Sequence, residues 1–297
     1  MEITFKLLTY IGLLGFILGF VVNKTNFCTM GAISDWVNIG DLSRFKSWMF
    51  AAAIAILGVS LFEYLNFIDA SQSRIPYRSS TLFWPRYILG GLMFGFGMIY
   101  ASGCGNKILI RAGGGNIKSL FVLIVAGLMA YLMTRTDFYG VVFHSWMIPI
   151  SPDLAKFGIE DQSLPIILAF FFSSFDVEVL KLIVGLLIAS IMIFQIFKSG
   201  VFLKNIDNVL SGITVGTIVV LAWLITGGSL GQEWIEANDF MDTPMPGVGV
   251  QSFTFINPMG ETIIFLGNNA DLYYLTFGVT ALVAVILGSF SYSLISK

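Results

Sequence analysis

Residues 4–22, TFKLLTYIGLLGFILGFVV, form an almost uninterrupted apolar stretch that is long enough to cross a bilayer as a single helix. Six further stretches have the same character: 46–66, 86–103, 117–134, 178–197, 209–226 and 272–294. The apolar stretches 143–150 and 163–172 are too short to span and are expected to be interfacial or re-entrant. The sequence therefore predicts an all-α, polytopic membrane protein with about seven spanning helices and additional short re-entrant helices.

The composition agrees with a membrane location and argues against several other classes of protein. Of the 297 residues, 56% are hydrophobic and 11% are charged, and the mean hydropathy is +0.85, which is too apolar for a soluble globular protein. A net charge of −2 argues against a nucleic-acid partner. One histidine and two cysteines offer little material for a metal site, a catalytic triad or a disulfide framework, so we expect no cofactor and no metal. No domain boundary is apparent, and residues 1–297 are interpreted as one integral domain in the lipid bilayer.

The distribution of positive charge predicts an orientation in the membrane. Lysine and arginine follow the first, third and fifth spans, at Lys24, Arg44, Lys46, Lys107, Arg111, Lys118, Lys198 and Lys204. The segment 231–271 contains neither residue type. Because positive residues concentrate on the cytoplasmic side, we expect the N-terminus outside and the C-terminus inside. The loop that carries Arg74, Arg78 and Arg86 would lie outside and is the exception to this pattern.

The two cysteines follow the same arrangement of glycines. Cys28 comes after Gly15-Phe-Ile-Leu-Gly19, with the two glycines thirteen and nine residues before it. Cys104 comes after Gly91-Leu-Met-Phe-Gly95 at the same two distances. Because a membrane-length segment precedes each thiol, the repeat indicates one site that is built twice rather than two unrelated cysteines.

A weaker third copy begins at Gly212-Ile-Thr-Val-Gly216 and reaches Thr226-Gly227-Gly228 where a cysteine would be expected. In the predicted topology this copy runs in the opposite direction to the other two. Repeats of opposite direction with broken helices are typical of transporters. We therefore expect internal, inverted repeats with repeat-like units near 4–66, 86–135 and 209–294.

The segment 231–257 is predicted to be a loop, because Pro244-Met-Pro246-Gly247 and Gly249 would break a helix. It leads into the stretch 251–258, which is expected to be extended or strand-like. Polar backbone at membrane depth must be buried in protein or line water. We therefore expect this stretch to pack at the outer mouth of a pathway.

The residues around the cysteines suit a small sulfur-bearing anion. A thiol is soft and polarisable, and it matches sulfur, selenium or soft metals better than hard oxygen. Gly103 and Gly105 would let the backbone approach a ligand closely, and a short helix that begins near Asn106 would direct its N-terminus at an anion. Lys107 and Arg111, four residues apart on one helical face, would add positive charge.

These residues also have structural interpretations. A membrane cysteine often packs as a small hydrophobic residue, and Lys107 and Arg111 could act as anchors on the positive inner side. Asp35 could pair with Lys24 or a backbone donor, or it could take part in proton coupling. Glu63 is interpreted as a residue that reaches the membrane interface.

Two further features are interpreted as structural. His144, beside Trp146, is expected to be interfacial. The segment 113–115, Gly-Gly-Gly, lacks the Lys-Ser/Thr of a phosphate loop and is expected to form a hinge or a tight turn between a short helix and the next span.

The segments 26–32 (NFCTMGA), 103–106 (GCGN) and 111–114 (RAGG) resemble the YeeE/YedE sulphur-transport family, and the stretch 252–260 resembles its extended loop. The resemblance implies a multi-pass protein of the bacterial inner membrane that takes up thiosulfate or a related sulfur anion through an hourglass-shaped fold. It also implies that cysteines at the constriction pass the substrate along through thiol–sulfur hydrogen bonds, which assigns Cys28 and Cys104 to substrate contact. The family pattern includes a further Gly-Cys segment near the C-terminus, whereas this sequence has no third cysteine.

We therefore expect a transport domain and not an enzyme. The predicted substrate-binding residues are Cys28, Cys104, Asn26, Thr29, Gly103, Gly105, Asn106, Lys107 and Arg111. One alternative is a membrane sulfurtransferase in which a thiol takes up sulfane sulfur as a persulfide, aided by a lowered thiol pKa. Another is a membrane subunit that serves a partner, and the partners considered are a cytoplasmic sulfur-carrier protein and a complementing membrane chain.

Overall fold

A computed structural model describes residues 2–70, 73, 79–171, 176–198, 200 and 202–296. Most of the described residues are helical, with isolated β-bridges at Ser73–Val250 and Thr81–Asp153 and no strands among them. Their α-helices are α1 (Glu2–Thr25), α2 (Thr29–Ile39), α3 (Ser43–Tyr64), α4 (Trp84–Tyr100), α5 (Gly105–Gly113), α6 (Ile117–Arg135), α7 (Ser145–Met147), α8 (Leu164–Phe171), α9 (Val177–Phe197), α10 (Ile206–Gly227), α11 (Ser229–Asp239), α12 (Ile256–Gly267) and α13 (Phe277–Ile295). The predicted all-α class is confirmed.

Seven helical segments of the described chain are long and apolar enough to cross a membrane, as the sequence predicted. They are Glu2–Ile39, Ser43–Tyr64, Trp84–Gly113, Ile117–Arg135, Val177–Phe197, Ile206–Gly227 and Phe277–Ile295. The two short apolar stretches form α8 and a run of π-, α- and 3₁₀-helical turns over Gly140–Ile150. The protein is therefore a multi-pass, all-α membrane protein.

The last span begins later than the sequence predicted. Asp271 caps a short 3₁₀ turn over Leu272–Tyr274, and the side chain of Thr276 then caps α13 by accepting a hydrogen bond from Val279 N. Two successive capping side chains separate the 3₁₀ turn from the spanning helix, because each satisfies backbone N–H groups at a new helix start. The prediction of 272–294 joined these two elements.

A long helix followed at once by a short one occurs at all three copies of the repeat. The pairs are α1 with α2, α4 with α5, and α10 with α11. The residues that cap the three short helices, Cys28, Cys104 and Gly228, all have extended backbones. The chain is thus broken at the points that the glycine spacing marked, and both cysteines lie at a break.

Helix α13 packs closely against α1 and α5 and links the two cysteine segments. A Cβ atom added at Gly19 would lie 2.1 Å from Val285 O, so only glycine permits this approach of α1 to α13. Asn23 Nδ2 donates to Ser289 O at 2.9 Å, and Ser289 Oγ donates to Ile110 O of α5 at 2.6 Å. Ser289 is fully buried, and its bonds therefore fix α1, α13 and α5 relative to one another.

Helix α4 is far less covered than α1, its counterpart in the repeat. Pro85 is the one buried residue of α4, whereas α1 buries nine. Nothing lies within 4 Å of a Cβ atom added at Gly91 or Gly95. The shared glycine spacing therefore does not mean shared packing, because α13 covers the glycine face of α1 and no described helix covers that of α4.

Two parts of the predicted loop region are wrong. The segment 231–257 was predicted to be a loop, but its start belongs to α11, because the helix breakers begin only at Pro244. The stretch 251–258 was predicted to be extended, but α12 begins at Ile256. Pro258 lies in the first turn of α12, where its missing N–H breaks no helical hydrogen bond.

Helix α12 lies between α6 and α13 and is held by a buried carboxylate. Glu261, 4% exposed, accepts hydrogen bonds from Asn257 Nδ2 at 2.8 Å and from Thr276 Oγ1 at 2.5 Å. Arg135 Nη2 of α6 lies 3.8 Å from Glu261 Oε1. The carboxylate therefore joins α12 to the start of α13 and to the end of α6. The first turn of α12 lies against Gly105 at the start of α5.

Three further predicted features are a glycine turn, the single histidine and the arginines before and at the start of α4. The segment 113–115 forms the expected tight turn, with Gly115 at φ 89°. His144 lies in the π-helical turn, with its ring 5.9 Å from that of Phe83. Arg86 stacks on the same Phe83 ring at 4.3 Å. Arg74 and Arg78 lie outside the described residues, and the orientation in the membrane stays a prediction.

Candidate functional site

The site begins with two helix starts that carry the two cysteines. Cys28 caps α2, and its Sγ accepts a hydrogen bond from Gly31 N at 3.4 Å. Cys104 caps α5 and lies near the backbone N–H groups of Lys107 and Thr29 without making a capping bond within its own helix. The expected short helix after Cys104 is therefore present, and a matching short helix, which carries Asp35, follows Cys28.

The two thiols are brought side by side. Cys28 and Cys104 are close enough to interact directly, and neither forms a disulfide. Cys28 is buried and Cys104 is partly exposed. The backbone N–H of Thr29 at the start of α2 lies near Cys104 Sγ. The positive ends of two helix dipoles therefore meet at one pair of sulfur atoms.

Two residues with positive φ create the helix breaks. Asn26, at φ 53°, and Ser102, at φ 57°, each lie two residues before a cysteine. Positive φ is uncommon for residues other than glycine and costs backbone free energy, so the surrounding contacts must hold both turns. Lys107 Nζ donates to Asn26 Oδ1 at 2.8 Å, and Arg111 Nη1 donates to Ser102 O at 3.0 Å.

These two bonds give the predicted cations different surroundings. Lys107 reaches across from α5 to the turn before Cys28 and lies at the thiol pair. Arg111 instead donates a hydrogen bond from its guanidinium to the carbonyl of Ser102, in the turn before Cys104. The sequence expected equal roles for both residues, and the structure gives Lys107 the position beside the sulfur atoms.

Arg44 is a third cation at the site, and sequence reasoning placed it only among the inner-side charges. Its guanidinium lies against Gly31, where an added Cβ atom would be 2.6 Å from Nη1. Arg44 Nε pairs with Asp35 Oδ2 at 2.5 Å, whereas the sequence suggested Lys24 or a backbone donor as the partner of Asp35. The reason is the chain reversal at Gly40 (φ 74°), which brings the start of α3 back alongside α2.

A neighbouring carboxylate helps to begin α3. Asp41 Oδ1 accepts a hydrogen bond from Ser43 N at 2.8 Å. Hydrogen bonds from the Ser43 side chain and backbone hold the pKa of Asp41 below its ordinary value, with a smaller contribution from Arg44. Asp41 is therefore ionised at neutral pH and supports the turn that presents Arg44.

Helix α12 forms a wall beside Cys104. A Cβ atom added at Gly105 would lie 2.9 Å from Ile256 Cδ1, so glycine at this position lets α12 approach the start of α5. Asn106 Oδ1 is buried with no hydrogen-bond partner among the described residues. Because the oxygen and nitrogen of an amide are assigned by their partners, this side chain could equally present its NH₂ group to a ligand.

Most of the predicted site residues therefore meet in one place. The structure gathers Cys28, Cys104, Asn26, Thr29, Gly105, Asn106 and Lys107, and it adds Arg44 and Asp35. Gly103 is buried beneath Lys107, with an added Cβ atom 3.0 Å from Lys107 Cβ, and Arg111 braces the turn. The result is a cluster of soft sulfur, backbone N–H groups and cations, a combination that suits an anion bearing sulfur.

Comparison with known proteins also indicates a link to sulfur compounds. The chain matches the protein family described as sulphur transport over residues 24–297.

The chain belongs to the sulphur transport family.

The matched range includes both cysteine segments, α12 and α13. The resemblance seen in the motifs around Cys28 and Cys104 is thereby confirmed.

Three curated relatives are similar to this member of the sulphur transport family. Thiosulfate transporter TsuA of Escherichia coli (strain K12) is 22% identical over 294 residues, covering 93% of this chain and 72% of the relative. Thiosulfate transporter TsuA of Spirochaeta thermophila is 30% identical over 119 residues, covering 40% of this chain and 34% of the relative. Probable transporter YedE of Salmonella typhimurium is 27% identical over 135 residues, covering 43% and 30%.

The third helix break of this family member has a different character. A cavity of about 520 Å³ opens at the start of α11, where Gly228 takes the capping position that cysteine holds in the other copies. Its lining includes Glu63 and Lys181 but no sulfur-bearing side chain. The third copy therefore keeps the broken helix and lacks the thiol. Among the described residues, no cluster of three potential metal ligands occurs.

Proposed function

We propose that this chain is a membrane transporter of thiosulfate or a closely related small sulfur-containing anion. The observation that carries the proposal is the pair of thiols held together by the starts of two short helices. The family assignment supports transport of a sulfur compound, and the names of the TsuA relatives support thiosulfate as the substrate. The substrate is carried unchanged, so the protein is not an enzyme.

The proposed binding mode uses the two different ends of the substrate. Thiosulfate carries a terminal sulfur atom and an oxygen-bearing end. The terminal sulfur contacts the thiols of Cys28 and Cys104, because soft groups match each other. The N–H groups at the two helix starts, Lys107 and the amide of Asn106 stabilise the negative charge. The anion passes from one thiol to the other by exchanging weak hydrogen bonds.

Uptake of radiolabelled thiosulfate into proteoliposomes tests the proposal. We expect uptake by the native chain and at least a tenfold lower rate for Cys104→Ser and Cys28→Ser. Serine is a better helix cap than cysteine, so both variants keep the helix starts and any loss reflects sulfur chemistry. Native uptake rates in both serine variants, at equal reconstituted protein, would reject the proposed role of the thiols.

The same experiment separates transport from sulfur transfer. The two free thiols also suit a sulfurtransferase that holds sulfane sulfur as a persulfide. Transport predicts intact thiosulfate inside the vesicles and unmodified thiols after turnover. A persulfide on Cys28 or Cys104, found by mass spectrometry together with released sulfite, would favour the enzymatic alternative.

The cellular setting is part of the proposal. We place the protein in the bacterial inner membrane with its N-terminus outside, following the distribution of lysine and arginine. A cytoplasmic sulfur-carrier protein would receive the sulfur of the transported anion, and a complementing membrane chain would cover α4. Uptake by the purified chain alone would show that neither partner is required for transport itself.

A further inference from the structure

Arg44 has a position that the internal repeat does not explain. It lies in the first turn of α3, and the residue 76 positions later, where the second copy would hold its counterpart, is Leu120. The guanidinium occupies the space left free by Gly31: an added Cβ atom there would lie 2.6 Å from Nη1 and 3.2 Å from Nη2. Gly31 also donates its N–H to Cys28 Sγ. The guanidinium therefore lies at the helix start that supports the thiol.

Asp35 fixes the direction of this guanidinium. Its Oδ2 accepts from Arg44 Nε at 2.5 Å. Within the described residues, Nη1 and Nη2 have no hydrogen-bond partner and form a planar pair of donors. The side chains of Arg44 and Asp35 are 32% and 18% exposed, so the described residues do not fully enclose the pair.

Charges around the thiols favour an anion with more than one negative charge. Arg44 interacts electrostatically with both Cys28 and Lys107. Lys107 approaches the thiol pair from α5, and Arg44 approaches it from α3. Asp35 offsets part of the charge on Arg44 but engages only its Nε atom. One compact cation and one forked cation thus flank the sulfur atoms from separate helices.

We propose that Arg44 is a specificity-determining residue that binds the oxygen-bearing end of a divalent sulfur oxyanion, and that Asp35 is its positioning residue. This inference rests on the proposed function and defines how the anion is oriented. The terminal sulfur lies at Cys28 and Cys104 while two oxygens of the other end accept hydrogen bonds from Nη1 and Nη2. A guanidinium suits this role better than an ammonium, because its planar fork matches paired oxygens.

Equilibrium binding of thiosulfate to the purified full chain, measured by calorimetry, tests the role of Arg44. We expect Arg44→Gln to weaken binding roughly ten- to a hundredfold, as for loss of hydrogen bonds to a charged group. Arg44→Lys keeps the charge but loses the fork, and we expect at least a tenfold loss. Lys24→Gln is the matched control, because Lys24 is an exposed cation four residues before Cys28, and it should change binding less than twofold.

Competition with hydrosulfide separates orientation from general charge. Hydrosulfide offers sulfur without oxygen. Its affinity for the thiols, measured by competition, should therefore change less than threefold in Arg44→Lys, while the affinity for thiosulfate falls. Equal losses for the two anions, or native thiosulfate affinity in Arg44→Lys, would overturn the assignment of Arg44.

A double-mutant cycle tests the positioning role of Asp35. Asp35→Asn should weaken thiosulfate binding about three- to tenfold, because the guanidinium loses its charged partner. In the Arg44→Gln background the same change should have almost no effect, since Asp35 acts through Arg44. A full loss in both backgrounds would overturn the positioning role.

The failures of this inference and of the proposed function are distinguishable. If the native chain binds and transports no thiosulfate, the proposed function fails. If the native chain does both and the Arg44 variants match it, only the present inference fails.

Discussion

Cysteine is an unusual residue at the start of a helix, because sulfur accepts a hydrogen bond from a backbone N–H only weakly. Cys28 and Cys104 nevertheless both occupy this position, each two residues after a strained turn. Serine, threonine, asparagine or aspartate would cap these helices better. The chain therefore loses capping free energy at two equivalent points, and the proposed contact of both thiols with a sulfur anion accounts for this loss.

The strained turn before Cys104 yields a prediction about stability. Ser102 adopts φ 57°, a conformation that costs most residues about 1–2 kcal/mol and costs glycine almost nothing. Its carbonyl oxygen, rather than its side chain, accepts the bond from Arg111. We therefore expect Ser102→Gly to raise the unfolding midpoint in a thermal melt while leaving thiosulfate uptake intact.

The control for Ser102→Gly is a serine in regular helix. Ser291→Gly, in the later part of α13, should lower the unfolding midpoint, since glycine has a lower helix propensity than serine. A lower midpoint in Ser102→Gly would contradict the view that the turn before Cys104 stores backbone strain.

At the scale of helices, α1 and α4 share a glycine pattern and differ in what covers it. The Gly15/Gly19 face of α1 meets α13, while the Gly91/Gly95 face of α4 meets no described helix. Glycine in a membrane helix serves close packing only where a second helix approaches. The repeat therefore preserves the break and its cysteine, and the packing of the two long helices has diverged.

A matched pair of alanine variants tests this difference. In Gly19→Ala the new Cβ atom would lie 2.1 Å from Val285 O, a backbone atom, so we expect a loss of about 3 kcal/mol or more in the free energy of unfolding. In Gly95→Ala the new atom meets nothing within 4 Å, and alanine favours helix, so stability should be unchanged or slightly higher. Chemical denaturation in one detergent measures both values. Equal losses in the two variants would show that α4 is packed as closely as α1.

Hydropathy was enough to predict the spans, because a spanning helix must be long and apolar whatever surrounds it. It failed at α11 and α12, which are short, partly polar and stabilised by contacts with residues far along the chain. Glu261 illustrates this, since its partners Thr276 and Arg135 lie on other helices. Prolines and glycines in the intervening loop made the whole region look irregular.

The site was predictable only in part, because local sequence patterns mark some of its residues and the folded chain brings the others together. Repeated spacing pointed to Cys28 and Cys104, and local sequence pointed to the short helix after Cys104. Arg44 and Asp35 were not predicted as a pair, because their meeting depends on the reversal of the chain at Gly40. Their signal was present as an acidic and a basic residue separated by a glycine turn. The substrate-contact roles of the predicted residues stay a prediction.

At the scale of the whole molecule, α13 connects the first cysteine segment to the second. Hydrogen bonds through Ser289 tie Asn23 of α1 to Ile110 of α5, although these residues are far apart in sequence. Helix α13 therefore helps to hold α1 and α5, and with them the two cysteine segments, relative to each other. The seven spans found among the described residues also determine which loops share a side of the membrane.

Cysteine labelling in whole cells tests that arrangement. In a Cys28→Ser, Cys104→Ser background, Asp242→Cys should react with a membrane-impermeant maleimide from outside. Leu203→Cys, on the other side of α10 and next to Lys204, should react only after the membrane is opened. Both positions are exposed, so access to the reagent depends on the side of the membrane. The reverse pattern would invert the orientation, and labelling of both positions in intact cells would contradict a spanning α10.

The most direct test of the central claim is protection of the two thiols by the substrate. Purified native chain is treated with iodoacetamide, and alkylation of Cys28 and Cys104 is followed by mass spectrometry with and without thiosulfate. We predict that thiosulfate slows alkylation of both cysteines by about tenfold when it is present at ten times its dissociation constant, and that sulfate does not. Alkylation of both thiols at an unchanged rate, at concentrations that saturate uptake, would contradict the claim that the paired helix starts form the substrate site.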